Sequence, residues 1–277
     1  MGETIRIAMD DGHLLPCYHA VPEGERKGGL VLVHEIFGVT DHIRELCDEY
    51  AGDGYEVIAP NLFDRVEPGC ELSYSGPDWE RAVQIGRQLH DWERGLADTR
   101  ACVAWLKARG GPVFITGYCF GGSVAWRMAQ TCDELDGASC YYGGYIATRF
   151  ADEAPGCATI AHFGRYDPMV DFAPVEKLIE KAHPTAQIFV YEAGHGFNSD
   201  RRKDYHPESA DLAKERTLML FRALGGLGSA PLLTARRGKL NLNESGKACV
   251  HKEPCHDGHH DRRRGSLDSR AGAGPRL

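Results

Sequence analysis

The stretch VFITGYCFGG (113–122) decides the fold, because it joins a short apolar run to a cysteine bracketed by glycines. The run VFIT has the length and composition of a strand that is covered on both faces. The residues that follow, SVAWRMAQ (123–130), are typical of a helix. The chain must therefore turn sharply from strand to helix around Cys119, and side chains at positions 117 and 121 would crowd that turn.

A cysteine at this position suits nucleophilic chemistry. The pattern glycine–x–nucleophile–x–glycine holds its central side chain in strained backbone geometry at the start of a helix. The helix dipole at that end favours the thiolate form of Cys119, and the backbone N–H of Phe120 becomes a candidate oxyanion-hole donor. A glycine-rich turn around an inert buried cysteine is the alternative interpretation, and the motif alone does not separate the two.

Outward from this turn, short apolar runs alternate with amphipathic stretches up to about residue 224. The alternation predicts an α/β fold, with a mostly parallel central sheet and helices on both faces. The first two strands are too close in sequence for a crossover helix, so they should form an antiparallel edge. The predicted strands are Thr4–Met9, Leu14–His19, Gly29–His34, Tyr55–Pro60, Val113–Thr116, Ala138–Tyr142, Thr159–Phe163 and Gln187–Tyr191. The predicted helices are Asp41–Gly52, Trp79–Ala108, Gly121–Thr131, Phe172–Lys181 and Pro207–Leu224.

A cysteine nucleophile of this kind needs an acid and then a base later in the chain. Asp167 follows the predicted strand TIAHF, and His195 follows the predicted strand QIFVY. Carboxyl ends of parallel strands lie at one edge of the sheet, so both side chains should meet Cys119 there. Order and placement together predict these three residues as a catalytic triad, in which Asp167 orients His195 and His195 generates the thiolate.

Other residues compete for the two supporting roles. Asp171 is a rival acid, but it directly precedes the helical stretch FAPVEKLIEK and is better explained as a helix N-cap. His34, His162 and His206 are weaker candidates for the base, because they lie within or beside strands or at a helix start.

Charge is divided unevenly along the 277 residues, whose formal net charge is −8. Residues 226–277 hold ten basic and five acidic residues, a charge of +5, which leaves −13 for the rest. This segment has no aromatic residue and no periodicity, so we predict one domain over 1–225 and a disordered basic C-terminal tail over 226–277. The acidic domain argues against a nucleic-acid partner. The Cys and His residues of the tail fit no standard zinc-finger spacing, so no metal site is predicted.

The sequence also indicates in which cellular compartment the protein is expected and whether it needs a cofactor. The N-terminus lacks a signal-peptide pattern, and Arg6 stands where a myristoylation signal needs Ser or Thr. The ten cysteines never occur as CxxC, which favours reduced thiols and a cytoplasmic protein. No apolar run reaches the roughly 18 residues that cross a membrane, and no dinucleotide-binding fingerprint is present. We therefore expect neither membrane association nor a cofactor, and a monomer is compatible with the sequence.

Four separated segments resemble the dienelactone hydrolase family, and the resemblance extends over about residues 1–224. The resemblance implies an α/β-hydrolase-type domain that acts on a small-molecule lactone or ester through a thioester, as a carboxymethylenebutenolidase does. A general esterase or thioesterase on the same scaffold is the alternative, followed by a non-catalytic small-molecule-binding homologue. The four segments are HEIFGVTDHIRELCDEYAGDGYEVIAPNLFDR (34–65), GYCFGG (117–122), HFGRYDPMV (162–170) and YEAGHGFN (191–198).

The resemblance also implies roles for two residues after the strand LVLVH. In this family a glutamate at the position of Glu35 pairs with the nucleophile's thiol until substrate displaces it. The backbone N–H of Ile36 would be the second oxyanion-hole donor. From the residues alone, Glu35 could equally be a solvated loop carboxylate.

Arginines are needed if the substrate carries a carboxylate, as dienelactone does. The resemblance points to Arg81 and to Arg201 or Arg202, although no tyrosine follows Arg81 at the family's four-residue spacing. A solvated charged face is an equally good interpretation of these arginines.

Overall fold

The computed structural model describes residues 1–226 and two short strands beyond them, which pair antiparallel and span Asn241–Leu242 and Ala248–Cys249. Eight strands of the first region form one sheet. The order of the strands across the sheet is β1-β2-β4-β3-β5-β6-β7-β8. The bounds are β1 Glu3–Ala8, β2 Leu14–Ala20, β3 Gly28–Val33, β4 Tyr55–Pro60, β5 Val113–Tyr118, β6 Gly137–Tyr141, β7 Ala158–Gly164 and β8 Ala186–Tyr191.

The strand directions confirm a mostly parallel sheet with one antiparallel edge. Strand β2 runs antiparallel to both β1 and β4, and the other neighbouring pairs are parallel. Every residue of β3, β4 and β5 is buried, as expected for strands that are covered on both faces. Each predicted strand is present, with its ends shifted by at most two residues.

The described residues form seven α-helices, of which six lie between these strands in the chain and the seventh follows β8. One predicted helix is wrong in outline. The predicted stretch Trp79–Ala108 breaks into α2, a π-helical turn over Ile85–Leu89, and α3. The break occurs because His90 is extended and the Asp91 carboxylate caps α3 by accepting the N–H of Arg94. The helices are α1 Asp41–Gly52, α2 Pro77–Gln84, α3 Trp92–Lys107, α4 Phe120–Thr131, α5 Ile146–Arg149, α6 Phe172–Lys181 and α7 Pro207–Gly225, of which α5 was not predicted.

Two hydrophobic cores confirm that helices cover both faces of the sheet. Helices α3, α4 and α6 pack on one face, where Val31 and Val33 of β3 point. Helices α1 and α7 pack on the other face, where Leu30 and Leu32 of the same strand point. The loops that leave the carboxyl ends of β3, β5, β7 and β8 therefore stand on a rigid, doubly covered base.

The prediction of a disordered tail falls on residues outside those described, apart from Gly226 and the two short strands. Apart from Cys249, which belongs to the second of these strands, the Cys and His residues of that segment also lie outside the described residues, so the expectation of no metal site in the tail stays a prediction. Among the helices that the structure does describe, none combines the length and apolar character of a membrane span.

Candidate active site

The turn between β5 and α4 has the strained geometry that its sequence predicts. Cys119 adopts φ 55° and ψ −112°, which L-residues rarely populate. A Cβ at Gly117 would lie 2.1 Å from the carbonyl oxygen of Gly121, and a Cβ at Gly121 would lie 2.2 Å from that of Val33. The N–H of Cys119 donates to the carbonyl of Tyr141 at 3.0 Å, which ties the turn to β6. Neighbouring backbone therefore fixes the turn and permits only glycine at these two positions.

Cys119 differs from the other cysteines in the described part of the chain. Its side chain is partly exposed, whereas the other seven cysteines of residues 1–226 are buried thiols. The Sγ atom lies 3.2 Å from Nε2 of His195. A reactive cysteine needs both access to solvent and a cationic or basic neighbour, and Cys119 has both.

Asp167 holds His195 from the other side. Its Oδ2 lies 2.7 Å from Nδ1 of the ring, and its Oδ1 accepts the N–H groups of Met169 at 2.7 Å and Val170 at 3.1 Å. A carboxylate only accepts at these positions, so Nδ1 carries a proton and Nε2 faces the sulfur. The structure thus brings the three predicted triad residues into one line at the carboxyl edge of the sheet.

The charges in this line favour a protonated ring. Burial opposes the charge on His195, yet the Cys119 sulfur and the hydrogen bonds to Asp167 and Cys119 outweigh it and raise the pKa of the imidazole to about 10. At neutral pH the ring is then an imidazolium beside the sulfur, an arrangement that stabilises a thiolate.

The competing residues have other partners. The Asp171 carboxylate caps α6 by accepting the N–H of Ala173. The Nδ1 of His34 donates to the carbonyl of Glu35 and its Nε2 accepts the N–H of Leu62, so this ring is neutral; burial lowers its pKa to about 4.

The two remaining histidines also make structural contacts. His206 caps α7, because its Nδ1 accepts the N–H of Ser209. His162 is completely buried in the centre of β7 and contacts hydroxyl groups only. Neither ring contacts a cysteine, and the carboxylate of Glu208, 3.5 Å from Nε2 of His206, is exposed. Among the described residues, His195 is therefore the one histidine that lies between a carboxylate and a cysteine sulfur.

Glu35 is buried, but the structure places it against an arginine rather than against the thiol. Its Oε1 lies 3.3 Å from Nη1 of Arg202, and its Oε2 has no hydrogen-bond partner among the described residues. The expected pair between Glu35 and Cys119 is therefore absent from this conformation. The sulfur instead lies beside the His195 ring, 3.2 Å from Nε2.

Arg202 is held by charge and by aromatic rings. Burial works against its charge, but Glu35 and the Cys119 sulfur raise its pKa overall. Its guanidinium carbon lies 5.6 Å from the ring centre of Trp79 and 5.8 Å from that of Phe37, within the range of cation–π attraction. Arg202 is therefore a permanent cation at the edge of the site.

The two predicted oxyanion donors lie on adjoining segments. Phe120 begins α4, so its N–H has no acceptor within the helix. The N–H of Gly121 donates to the carbonyl of His34 at 3.1 Å, which fixes the segment after β3 against the turn. Ile36 then lines the same cavity as Phe120 and Cys119. The donor roles of Ile36 and Phe120 stay predictions.

A cavity of about 410 Å³ opens over Cys119, and we call it the first cavity. Among the predicted site residues, Ile36, Cys119, Phe120, His195 and Arg202 line it. The buried Asp167 lies behind His195, at the far side of the ring from the sulfur.

Two of the three predicted substrate arginines do not line this cavity. Arg81 is turned away and pairs with Glu67 at 2.7 Å. Arg201 is held on the surface by Glu45 at 2.6 Å and by Asp200. Each of these two guanidinium groups is thus paired with carboxylates outside the cavity, and a substrate-binding role for them stays a prediction. Arg202 is the one of the three that reaches it.

Sequence reasoning missed much of the cavity wall. Arg87 lies on the π-helical turn, Trp79 and Val83 on α2, and Tyr145 just before α5. The sequence motifs do not include these side chains. The stretch Trp79–Ala108 was moreover predicted as one regular helix, which hides the turn that carries Arg87. The glycines at 143 and 144, at the carboxyl end of β6, were the available hint that backbone passes close to the site there.

Within the described residues, no group of three or more His, Cys, Asp or Glu side chains is arranged to hold a metal ion. The polar groups of the site instead form a hydrogen-bonded line from Asp167 through His195 to Cys119. Such a line supports proton transfer and nucleophilic attack.

The fold assigns the protein to the α/β-hydrolases, the class to which its structural neighbours belong. A family model described as the dienelactone hydrolase family matches residues 15–225. The chain belongs to the dienelactone hydrolase family and is thus a hydrolase of the kind that acts on carboxylic esters or lactones.

Individual relatives agree with this assignment. A carboxymethylenebutenolidase from Pseudomonas putida is 31% identical over 228 residues, which cover 78% of this chain and 94% of the relative. A relative from Yersinia pestis is 33% identical over 243 residues, 81% of this chain and 88% of its own length. A crystal structure from Klebsiella pneumoniae, assigned to the dienelactone hydrolases, has a TM-score of 0.68 at 29% identity and covers 80% of this chain and 98% of its own.

Proposed function

We propose that the protein hydrolyses a lactone or a small carboxylic ester through a thioester formed on Cys119. One observation carries the proposal. The His195 ring lies between the Asp167 carboxylate at 2.7 Å and the Cys119 sulfur at 3.2 Å, and the sulfur opens into a cavity that accepts a small molecule. This is the order of contacts that an acid–base–nucleophile triad requires.

The first half of the reaction uses the imidazolium–thiolate pair. The Cys119 sulfur attacks the carbonyl carbon, and the N–H groups of Phe120 and Ile36 stabilise the oxyanion that forms. The carbon–oxygen bond to the leaving group then breaks, and the proton on Nε2 of His195 passes to that oxygen. A thioester on Cys119 and a neutral His195 remain.

The second half returns the enzyme to its resting state. Neutral His195 takes a proton from water, and the hydroxide attacks the thioester carbonyl. The carbon–sulfur bond breaks, the acid leaves, and Cys119 returns to the thiolate beside the protonated ring. Asp167 keeps Nδ1 protonated throughout and so fixes which nitrogen faces the sulfur.

The test compares wild type with Cys119→Ala on cis- and trans-dienelactone, p-nitrophenyl acetate and a short acyl thioester. If Cys119 is the nucleophile, kcat/KM should fall on the order of a thousandfold or more on every substrate that wild type turns over. Cys132→Ala, which alters a buried thiol in the same helix region, is the matched control and should keep wild-type rates. Turnover that survives in Cys119→Ala would refute the proposal. The relative rates on lactone, ester and thioester would distinguish a lactonase from a general esterase or a thioesterase.

A further inference from the structure

Two adjoining cavities lie beside the reacting atoms, and the wall surface of both is mainly apolar. The first cavity has a volume of about 410 Å³, and a second cavity of about 400 Å³ adjoins it. Trp79, Met169, His195 and Arg202 line both cavities. The two spaces therefore meet at the His195 ring, and each falls in the range of roughly 300–1,000 Å³ that is typical of small-molecule sites.

The wall around the sulfur consists of aliphatic and aromatic side chains. Phe120 and Val170 are buried, and Ile36, Val83 and Tyr145 are half-buried. A hydrocarbon group bound there gains free energy, because its apolar surface leaves water. A charged group would lose its hydration there, and these five side chains offer it no opposite charge. The acid part of an ester must lie here when its carbonyl carbon is bonded to the sulfur, so an apolar acid part is favoured.

The second cavity combines apolar wall surface with exposed charges. Trp79, Pro168 and Met169 supply apolar surface. Glu80 and Lys203 also border this cavity, but both side chains are exposed and of opposite charge, so they stay hydrated without a ligand. The wall surface that a ligand covers is therefore mainly apolar on this side as well.

Arg202 borders both cavities, but its charge is already balanced. Its side chain is 10% exposed, that of Glu35 is 2% exposed, and the two charged groups lie 3.3 Å apart. A substrate carboxylate that bound Arg202 would compete with Glu35, and separation of the pair would leave a buried carboxylate without its partner. At the first cavity, the exposed Arg87 and Asp171 also carry opposite charges. The described residues around the two cavities thus offer an anionic substrate no buried cation that lacks a partner.

We propose that the preferred substrate is an uncharged ester with apolar groups on both sides of the carbonyl, one in the acid and one in the alcohol. The inference rests on the proposed function and refines its substrate class. As the bond between sulfur and carbonyl carbon forms and the carbon–oxygen bond breaks, the alcohol leaves with the His195 proton on its oxygen. The apolar acid part stays on Cys119 until water releases it. An anionic ester such as dienelactone is then the poorer substrate, because its carboxylate leaves water for a wall where Arg202 is already paired with Glu35.

The experiment compares esters of equal shape that differ in charge. Ethyl 4-methylpentanoate and monoethyl succinate differ in the acid part, where an isopropyl group replaces a carboxylate. The esters of butyric acid with 3,3-dimethylbutanol and with choline differ in the alcohol, where a tert-butyl group replaces a trimethylammonium group. Each kcat/KM is divided by the rate constant for alkaline hydrolysis of the same ester, which removes differences in intrinsic reactivity. Wild type should favour the uncharged member of each pair at least about tenfold.

A pair of variants then changes the charge of the wall at one position. Val83→Lys places a cation in the first cavity, and Val83→Met places an uncharged side chain of similar length there. Val83→Lys should raise the ratio of kcat/KM for monoethyl succinate to that for ethyl 4-methylpentanoate at least about tenfold above the ratio of Val83→Met. Ratios within one protein cancel any difference in the folded fraction, and the wild-type ratios decide the question even if a variant does not fold.

Several results would overturn the inference. They are a wild type that favours the charged member of either pair, a wild type that does not distinguish the members, and equal ratios in folded Val83→Lys and Val83→Met. Cys119→Ala and wild type are assayed in parallel on p-nitrophenyl acetate. Turnover of p-nitrophenyl acetate that depends on Cys119, without turnover of either uncharged ester, would overturn the inference and leave the proposed function standing. Turnover that survives in Cys119→Ala would instead refute the proposed function.

Discussion

Two buried histidines in this protein have opposite properties. His195 is 4% exposed and His162 is 0% exposed, so both rings are removed from water. Burial, together with the nearby Arg216 cation, lowers the pKa of His162 to about 3. At His195 the same penalty is outweighed, by the Cys119 sulfur first and then by hydrogen bonds, and the pKa rises to about 10. Burial alone therefore does not decide which ring becomes the base.

The surroundings of His162 satisfy a neutral ring. The Tyr191 hydroxyl accepts from Arg216 at 3.0 Å, so its own proton goes to Nδ1 of His162 at 2.8 Å. Nε2 of the ring then carries the proton and donates to the Ser139 hydroxyl at 3.2 Å. Ser139 in turn bonds the Thr217 hydroxyl at 2.7 Å. Every polar atom of the ring has a neutral partner, which makes this a structural position in the core.

The surroundings of His195 instead contain charge. A carboxylate faces one nitrogen and a cysteine sulfur faces the other, so a second proton on the ring gains two opposite charges. These partners, which the segments after β5 and β7 supply, therefore cause the difference in pKa between His195 and the core residue His162. Substitutions that change one partner at a time test which groups cause this difference between the two rings.

The largest expected effect follows from removing each ring. His195→Ala should lower kcat/KM on the order of 10⁴-fold, because it removes both the thiolate's partner and the proton donor. His162→Phe is the matched control, since it removes a ring that is equally buried. It should cost about 2 kcal/mol of stability through the hydrogen bonds that the Ser139 and Tyr191 hydroxyls lose, while kcat of the folded fraction stays near wild type. An activity loss in His162→Phe as large as that in His195→Ala would contradict the contrast between the two positions.

A smaller effect concerns the pKa of His195. Because the Cys119 sulfur is the largest of the groups that raise it, Cys119→Ser should bring the pKa down from about 10. Imidazole proton NMR across the pH range measures this directly, with His162 as an internal reference that should stay neutral in both proteins. An unchanged His195 titration in Cys119→Ser would mean that the sulfur does not hold the proton.

The same shift sets the sign of a pH effect on stability. The folded-state pKa of His195 lies above the ordinary value of 6.5, so the folded protein binds this proton more tightly than the unfolded chain does. The stabilisation of the folded state by this proton is fully present below about pH 6.5 and is lost as the pH rises through about 10. Cys119→Ser should flatten this alkaline loss, which denaturant titrations at a series of pH values can follow.

The sequence alone was sufficient to predict the fold and to predict that Cys119, Asp167 and His195 lie together at one edge of the sheet. Strand-to-helix alternation predicted the sheet, and the glycines at 117 and 121 predicted the turn, because only glycine fits against the backbone there. Asp167 and His195 could be placed since both follow strands whose carboxyl ends lie together. These inferences succeed because each depends on local sequence and on one general property of parallel sheets.

The cavity wall could not be predicted in the same way. Arg81 and Arg202 have the same side chain. Only the three-dimensional structure shows that Glu67 holds Arg81 outside the first cavity, whereas Arg202 lines that cavity together with Cys119. Arg87 entered the wall through a π-helical turn that interrupts a stretch predicted as one helix. The positions of these arginines depend on contacts between different segments of the chain, which the pattern of residue types does not predict.

The most direct test of the central claim is to detect the acyl group on the nucleophile. Excess wild-type enzyme is mixed with p-nitrophenyl butyrate, quenched in acid at intervals, and digested for peptide mass spectrometry. The account predicts a butyryl group on the peptide that contains Cys119, which forms as p-nitrophenol is released and disappears as butyrate is produced. Product that forms while the butyryl group is found on another residue, or on none at any interval, would contradict it.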